Sequence, residues 1–290
     1  MQHIQTKTIL SKLRTEDKLF GLSYNMNLYR GCQHACIYCD TRSECYGINN
    51  ISKISIKTNA LELLSKELRA KRKNRGTIGT GSMNDPYMPV EREQQLTRRA
   101  LQIIAAEKYP VHVITKSNLV VRDTDILQEI ARIYSAVSFT ITTHDDDLAM
   151  RIEPAAPKSS ERFNAMGHMA KHGIYTGVTL MPLLPFINDT KENIENIMKM
   201  AKDAGASYII PMFGLTLRKG SRDYFYQALD KQFPGMKRQY QSTFGERYIC
   251  NSPNYRLLSN TFNEASAKLG FDARMQFYHP PASRPLSLWE

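Results

Sequence analysis

The segment Asn27-Leu28-Tyr29-Arg30-Gly31-Cys32-Gln33-His34-Ala35-Cys36-Ile37-Tyr38-Cys39-Asp40 holds three of the chain's five cysteines at the spacing C-x3-C-x2-C. Cys45 follows six residues on and Cys250 stands far from the rest. Four cysteines within fourteen residues of a non-secretory chain suit a metal site better than a disulfide framework. Structural zinc sites take paired C-x2-C elements, and no second pair exists here. A cubane iron–sulfur cluster asks for one ligand per iron. Three thiolates on a tight loop leave one iron to Cys45, or open to a substrate or cofactor. A lone Cys is more often a small buried apolar residue, so Cys45 and Cys250 are expected to be non-ligands.

The sequence on either side sets the frame that carries this loop. Short β-branched runs near residues 22–28, 76–82, 110–116, 136–142, 174–182 and 206–213 alternate with helical patterns near 58–74, 92–107, 124–133, 159–172 and 190–203. Leu96, Ala100, Ile103 and Ile104 fall on one face of a helix drawn over 91–108. Asn188-Asp189-Thr190 supplies helix-capping residues, and Gly173 and Gly205 stand where helices should stop. Repeated strand–helix units predict parallel strands covered by helices, that is, an α/β fold. Six units fit a partial (β/α)6 TIM-like barrel, with the chemistry at the C-terminal strand ends. The cysteine loop follows the first predicted strand and falls on that face. Residues 1–215 are read as the barrel and 216–290 as an α-rich C-terminal extension packed on it.

The chain has 290 residues and a formal charge of +11. Its composition excludes disordered, collagen-like and disulfide-scaffold classes. No apolar run approaches a membrane span, and the first twenty residues have no signal-peptide core, so a cytoplasmic protein without membrane contact is expected. Lys66 to Arg75 is strongly basic, usually a solvated helix face but compatible with a nucleic-acid backbone. Tyr224, Phe225, Tyr226 and Tyr240 in the extension are able to stack on bases, although such residues are more often core.

C-x3-C-x-aromatic-C, with Tyr38 as the aromatic, resembles the motif of the radical S-adenosylmethionine (SAM) superfamily. The resemblance implies a [4Fe–4S] cluster on Cys32, Cys36 and Cys39, with SAM chelating the fourth iron. It implies reductive cleavage of SAM to a 5′-deoxyadenosyl radical that abstracts hydrogen from a substrate, and a flavodoxin- or ferredoxin-like electron donor. Strand-end residues are then candidates for the SAM site. Gly81, Ser82, Asn84 and Asp85 close the second strand and would receive the SAM amine. Lys116 closes the third and would pair with the carboxylate. Thr140 and Thr142 would reach the ribose, and Met181 would wall the adenine, as would Met212 after the sixth strand. Glu153 would hold Arg162 in place, or either would face the ligand, and Arg151 is a candidate alongside Glu153.

Taken together, Tyr29-Arg30-Gly31-Cys32, Gly81-Ser82-Met83-Asn84-Asp85-Pro86-Tyr87, Thr115-Lys116-Ser117, Glu153-Pro154-Ala155-Ala156-Pro157 and Pro182 to Asp189 are similar to the spore photoproduct lyase-like, or DNA repair photolyase-like, group. That likeness implies a lyase-type radical enzyme whose substrate is damaged or modified nucleic acid. Lyases proper have a hydrogen-donating cysteine just before the segment matching Asn84-Asp85, where this chain has Gly81 and Ser82, and tend to have tyrosine at the place of Asp40. The cluster, the SAM site and the fold carry over; thymine-dimer repair does not. The different-class alternative is a zinc- or cluster-bearing nucleic-acid-binding protein without catalysis.

Overall fold

The computed structural model describes residues 1–280 except Glu16 and Ala273. Six parallel strands form its centre: β1 (Leu22–Met26), β2 (Thr77–Thr80), β3 (Val111–Thr115), β4 (Ser135–Thr140), β5 (Tyr175–Leu180) and β6 (Tyr208–Pro211). They lie side by side in chain order, and Leu10–Lys12 adds an antiparallel strand outside β1. Among the described residues β1 and β6 do not pair, so the sheet stays open. The mixed α/β fold with a central parallel sheet is the one the alternating pattern predicts.

The helices after these strands bury the stripes their sequences contain. α1 (Ala60–Ala70) turns Ala60, Leu64 and Leu68, four residues apart, fully inward. Each such leucine contributes about 1.5–3 kcal/mol by leaving water. α2 (Leu96–Ala106), α3 (Thr124–Ala131), α5 (Ser159–Lys171) and α6 (Lys191–Asp203) cover the sheet similarly, and the short α4 (Asp146–Ile152) is an addition that the sequence pattern does not predict. Gly173 and Gly205 close α5 and α6 at φ of +74° and +77°, a conformation open to glycine at little cost. Thr190 caps α6 by accepting from the Asn193 N–H at 3.1 Å.

One expected helix is broken. The pattern over 91–108 splits into Glu91–Gln94 and α2, hinged at Gln95 with φ +47°. The buried Glu91 carboxylate accepts from the backbone N–H groups of Leu96 and Thr97 at 3.1 and 3.0 Å and so caps α2 with negative charge. Arg122 pairs with the same carboxylate at 2.9 Å.

Beyond the barrel, Gly214–Thr216 pairs antiparallel with Ile249–Asn251, and α7 (Ser221–Gln232), α8 (Met236–Phe244) and α9 (Tyr255–Leu269) follow the sixth strand. α9 packs on α6. α7 and α8 build a second apolar core from Leu217, Phe225, Leu229, Tyr240 and Phe244, and Cys36, Ile37 and Tyr38 of the cysteine loop belong to it. A third cluster joins Ala136, Tyr208 and Ile210 to Met275, with Phe20, Phe277 and Met181 packed against them. Tyr134 and Tyr175, which stand next to the starts of β4 and β5, hydrogen-bond the Gln276 backbone, so residues 275–277 cover the lower end of the barrel. Among the described residues no helix is long and apolar enough to cross a membrane.

Candidate active site

The cysteine loop is shaped by its backbone. Gly31 has φ +91°, and a Cβ there would lie 2.5 Å from the Ile51 carbonyl. Cys32 N–H donates to that carbonyl at 2.8 Å, Ile37 N–H to Ile152 at 2.9 Å, and Ala155 N–H to His34 at 3.2 Å. The loop is thus held between residues 51–53 and the segment after α4.

Cys32, Cys36 and Cys39 line a cavity of about 330 Å³ at the C-terminal ends of the strands. Tyr38, Gly81, Ser82, Asn84, Asp85, Lys116, Thr140 and Met181 line it too, so most of the expected site residues converge. Thr142 and Glu153 do not reach its wall. Thr142 is buried, and its carbonyl accepts from Asn188 and Asn193 at 2.8 and 2.9 Å. Glu153 lies fully buried beneath Tyr38, whose hydroxyl donates to it, and meets Arg162 at 2.5 Å. Arg151 is exposed, donates to the Gln232 carbonyl and stacks 4.0 Å from the Phe233 ring centroid, which pins the extension. His34, Asp40, Thr41, Pro182, Met212, Leu215 and Thr216 are also part of the wall. Leu215 and Thr216 had no readable signal, because their strand exists only through pairing with Ile249–Asn251.

Several of these side chains are already committed to the protein. Asn84 donates to the Tyr29 carbonyl at 2.8 Å. The Asp85 carboxylate accepts from Thr115 Oγ1 at 2.7 Å, Lys116 N–H at 2.6 Å and Tyr87 N–H at 2.9 Å, with His34 Nε2 3.2 Å away. Burial works against its charge, but His34 and these donors outweigh burial and hold Asp85 well below the usual carboxylate range. Thr140 shares a 2.9 Å hydrogen bond with Thr179. Gly81 has φ +91°, and a Cβ there would run into the Ile114 carbonyl, so the backbone itself forms this part of the wall.

Lys116 differs. Asp85 fixes its backbone, while its ammonium, 5.7 Å from the Tyr38 ring centroid, makes no hydrogen bond or ion pair among the described residues. Burial opposes its charge, yet Cys36 and Glu153 more than offset that and raise its pKa. Among the described residues the cavity therefore presents a cation near the Tyr38 ring that no carboxylate or carbonyl pairs.

The thiols suit a cluster in number and environment. Burial and the nearby Asp85 push Cys32 up to about 11, and burial raises Cys36 further. Thiols of this kind become thiolates when a metal takes the proton's place. Cys45 is exposed, 3.7 Å from an Arg218 nitrogen, and Cys250 is buried elsewhere, so neither lines the cavity. Among the described residues no three His, Cys, Asp or Glu side chains converge as the ligands of one metal ion would; a cubane instead takes one sulfur on each of three irons.

The other sequence features fall elsewhere. Lys66 to Arg75 precedes β2 and so lies at the end of the sheet opposite the cavity, where Glu107 holds Arg69 and Arg72 at 3.0 and 2.9 Å. Phe225, Tyr226 and Tyr240 are core, and Tyr224 lies under Arg42 at 3.6 Å. Among the described residues the exposed aromatics of the extension are Tyr248 and Tyr255.

Comparison with known proteins agrees with this geometry. An uncharacterized protein of Methanocaldococcus jannaschii is 31% identical over 221 residues, covering 75% of this chain and 79% of the relative. An uncharacterized protein of Mycobacterium tuberculosis is 29% identical over 266 residues, covering 89% and 77%. Spore photoproduct lyase in complex with dinucleoside spore photoproduct superposes with a TM-score of 0.69 over 92% of this chain and 78% of that one, at 13% identity, and shares the fold. The model of the Radical SAM superfamily matches residues 26–213. Because that match runs from the end of β1 past the end of β6 and takes in the cysteine loop, the chain belongs to the Radical SAM superfamily and is a radical SAM enzyme.

Proposed function

We propose that Cys32, Cys36 and Cys39 hold a [4Fe–4S] cluster, that SAM binds beside it with its carboxylate on Lys116, and that the substrate is a nucleotide unit of damaged or modified nucleic acid. The observation that carries this reading is the Lys116 ammonium, without a hydrogen-bond or ion-pair partner among the described residues, on the wall that the three cysteines share. When bound, the cluster and SAM supply an electron transfer and a hydrogen-abstracting radical; the protein supplies binding, orientation and exclusion of water. Gly81 lets a ligand approach the backbone, and Met181, Pro182, Met212 and Leu215 offer an apolar wall for an adenine. Asp85 keeps Lys116 in place without competing for the ligand, since its own oxygens are already bonded.

Support for the substrate class comes from the +11 charge and from the shared fold with a lyase whose structure holds a dinucleoside photoproduct. A flavodoxin- or ferredoxin-like protein would deliver the electron. The test is an anaerobic assay for 5′-deoxyadenosine under reducing conditions, with and without damaged duplex DNA. Wild-type protein should form it and Cys32→Ala should not, and DNA should change the rate or the products. Equal formation by both proteins refutes the cluster assignment, whereas indifference to DNA refutes the substrate class.

A further inference from the structure

Glu153 and Arg162 form a fully buried ion pair off the cavity wall. Taking two charges out of water is expensive, and such a pair is often no more stable than apolar residues in the same space. Two of its contacts lead to the site. The carboxylate accepts from the Tyr38 hydroxyl, between Cys36 and Cys39. Arg162 reaches the Thr140 carbonyl and the Pro157 carbonyl, each at 2.8 Å, and so ties the end of β4 to the same point. Residues on either side of Glu153 hold the loop backbone, through Ile152 to Ile37 and Ala155 to His34. Cys36 lies within electrostatic reach of Glu153, Arg162 and Lys116, so Glu153 is the anion that balances two cations behind that sulfur.

Resting on the cluster reading above, we infer that Glu153 is a positioning residue: through Tyr38 it clamps the cysteine loop, and its charge sets the electrostatic potential at the group the three sulfurs hold. The anion favours the more positively charged, oxidised form of that group. Its removal leaves Arg162 and Lys116 uncompensated and favours the reduced form.

Two measurements test this. In reconstituted protein, Glu153→Gln should move the cluster's midpoint potential upward, and Glu153→Gln with Arg162→Gln should return it toward the wild-type value. Retention of iron against a chelator should fall by about 10- to 100-fold in Glu153→Gln, as for other supports of metal ligands. A folded, iron-loaded Glu153→Gln with the wild-type potential overturns the electrostatic role. In cluster-free protein, Tyr38→Phe deletes only the hydroxyl that meets Glu153. Thiol labelling read peptide by peptide should then speed up at Cys36 and Cys39 and stay unchanged at the exposed Cys45. Unchanged labelling at all three overturns the clamp, even if Glu153→Gln fails to fold. Absence of iron uptake by wild-type protein would refute the cluster reading instead, while the labelling rates still decide the clamp.

Discussion

Lys116 shows how a single side chain acquires a role from its surroundings. It follows a buried strand, its backbone N–H is fixed by Asp85 at 2.6 Å, and its ammonium is left without a protein partner among the described residues. A charged hydrogen bond from it to a ligand carboxylate is worth about 1.5–3 kcal/mol. Lys116→Met is therefore expected to weaken SAM binding by about 10- to 100-fold, measured by equilibrium dialysis, with the thermal midpoint little changed. An unaltered dissociation constant would place the carboxylate elsewhere. At this scale the cysteine triplet and Lys116 were legible because motif spacing and strand position are local properties. The pairing of Glu153 with Arg162 was legible, but the burial of the pair was not, since the Tyr38 hydroxyl that covers it comes from the cysteine loop.

Among the elements, β3, β4 and β6 are joined by a buried polar chain. His112 Nε2 lies 2.7 Å from Ser138 Oγ, which lies 2.7 Å from the Tyr208 hydroxyl. Burial pulls the His112 pKa down from 6.5 to about 3. Its folded pKa is depressed, so below pH 6.5 the unfolded chain binds the extra proton and the folded one does not. The resulting stability is whole above about pH 6.5 and is lost as pH falls toward 3. At pH 5 the loss from this group amounts to about 2 kcal/mol. His112→Gln should remove that component of the pH dependence, read as the difference in urea unfolding free energy between pH 7 and pH 5. An equally steep pH dependence in the variant would assign it to other groups. The six strands and their covering helices were readable because hydrophobic period reports burial directly. The break at Gln95 was not, because Leu96 and Ala100 keep the helical stripe while the cap comes from a buried Glu91. The short strands Gln2–Ile4 and Ser55–Lys57 escaped as well, since three residues contain too little alternation and their pairing is long-range.

In the whole molecule, the C-terminal extension and the cysteine loop share one apolar core. Phe225 is fully buried in it, far along the chain from Cys36 and Tyr38. Phe225→Ala should cost about 3–5 kcal/mol and also lower iron content after reconstitution. The paired readings are a thermal melt and an iron assay. Loss of stability with full iron retention would separate the two cores energetically. This coupling was invisible in the sequence, which shows the extension's aromatics but not which surface they cover. The basic run was visible and yet uninformative about the site, because charge density does not say at which end of a barrel a helix terminates.

The covered lower end of the barrel has a consequence for traffic. Met181 lies on the cavity wall and also packs against the cluster of Ala136, Tyr208, Ile210 and Met275, so this side chain stands between the chamber and the covered end. A guest resting against Met181 would share the mouth of the cavity with anything larger that follows, and the order in which two guests add is the kinetic measurement that reads this.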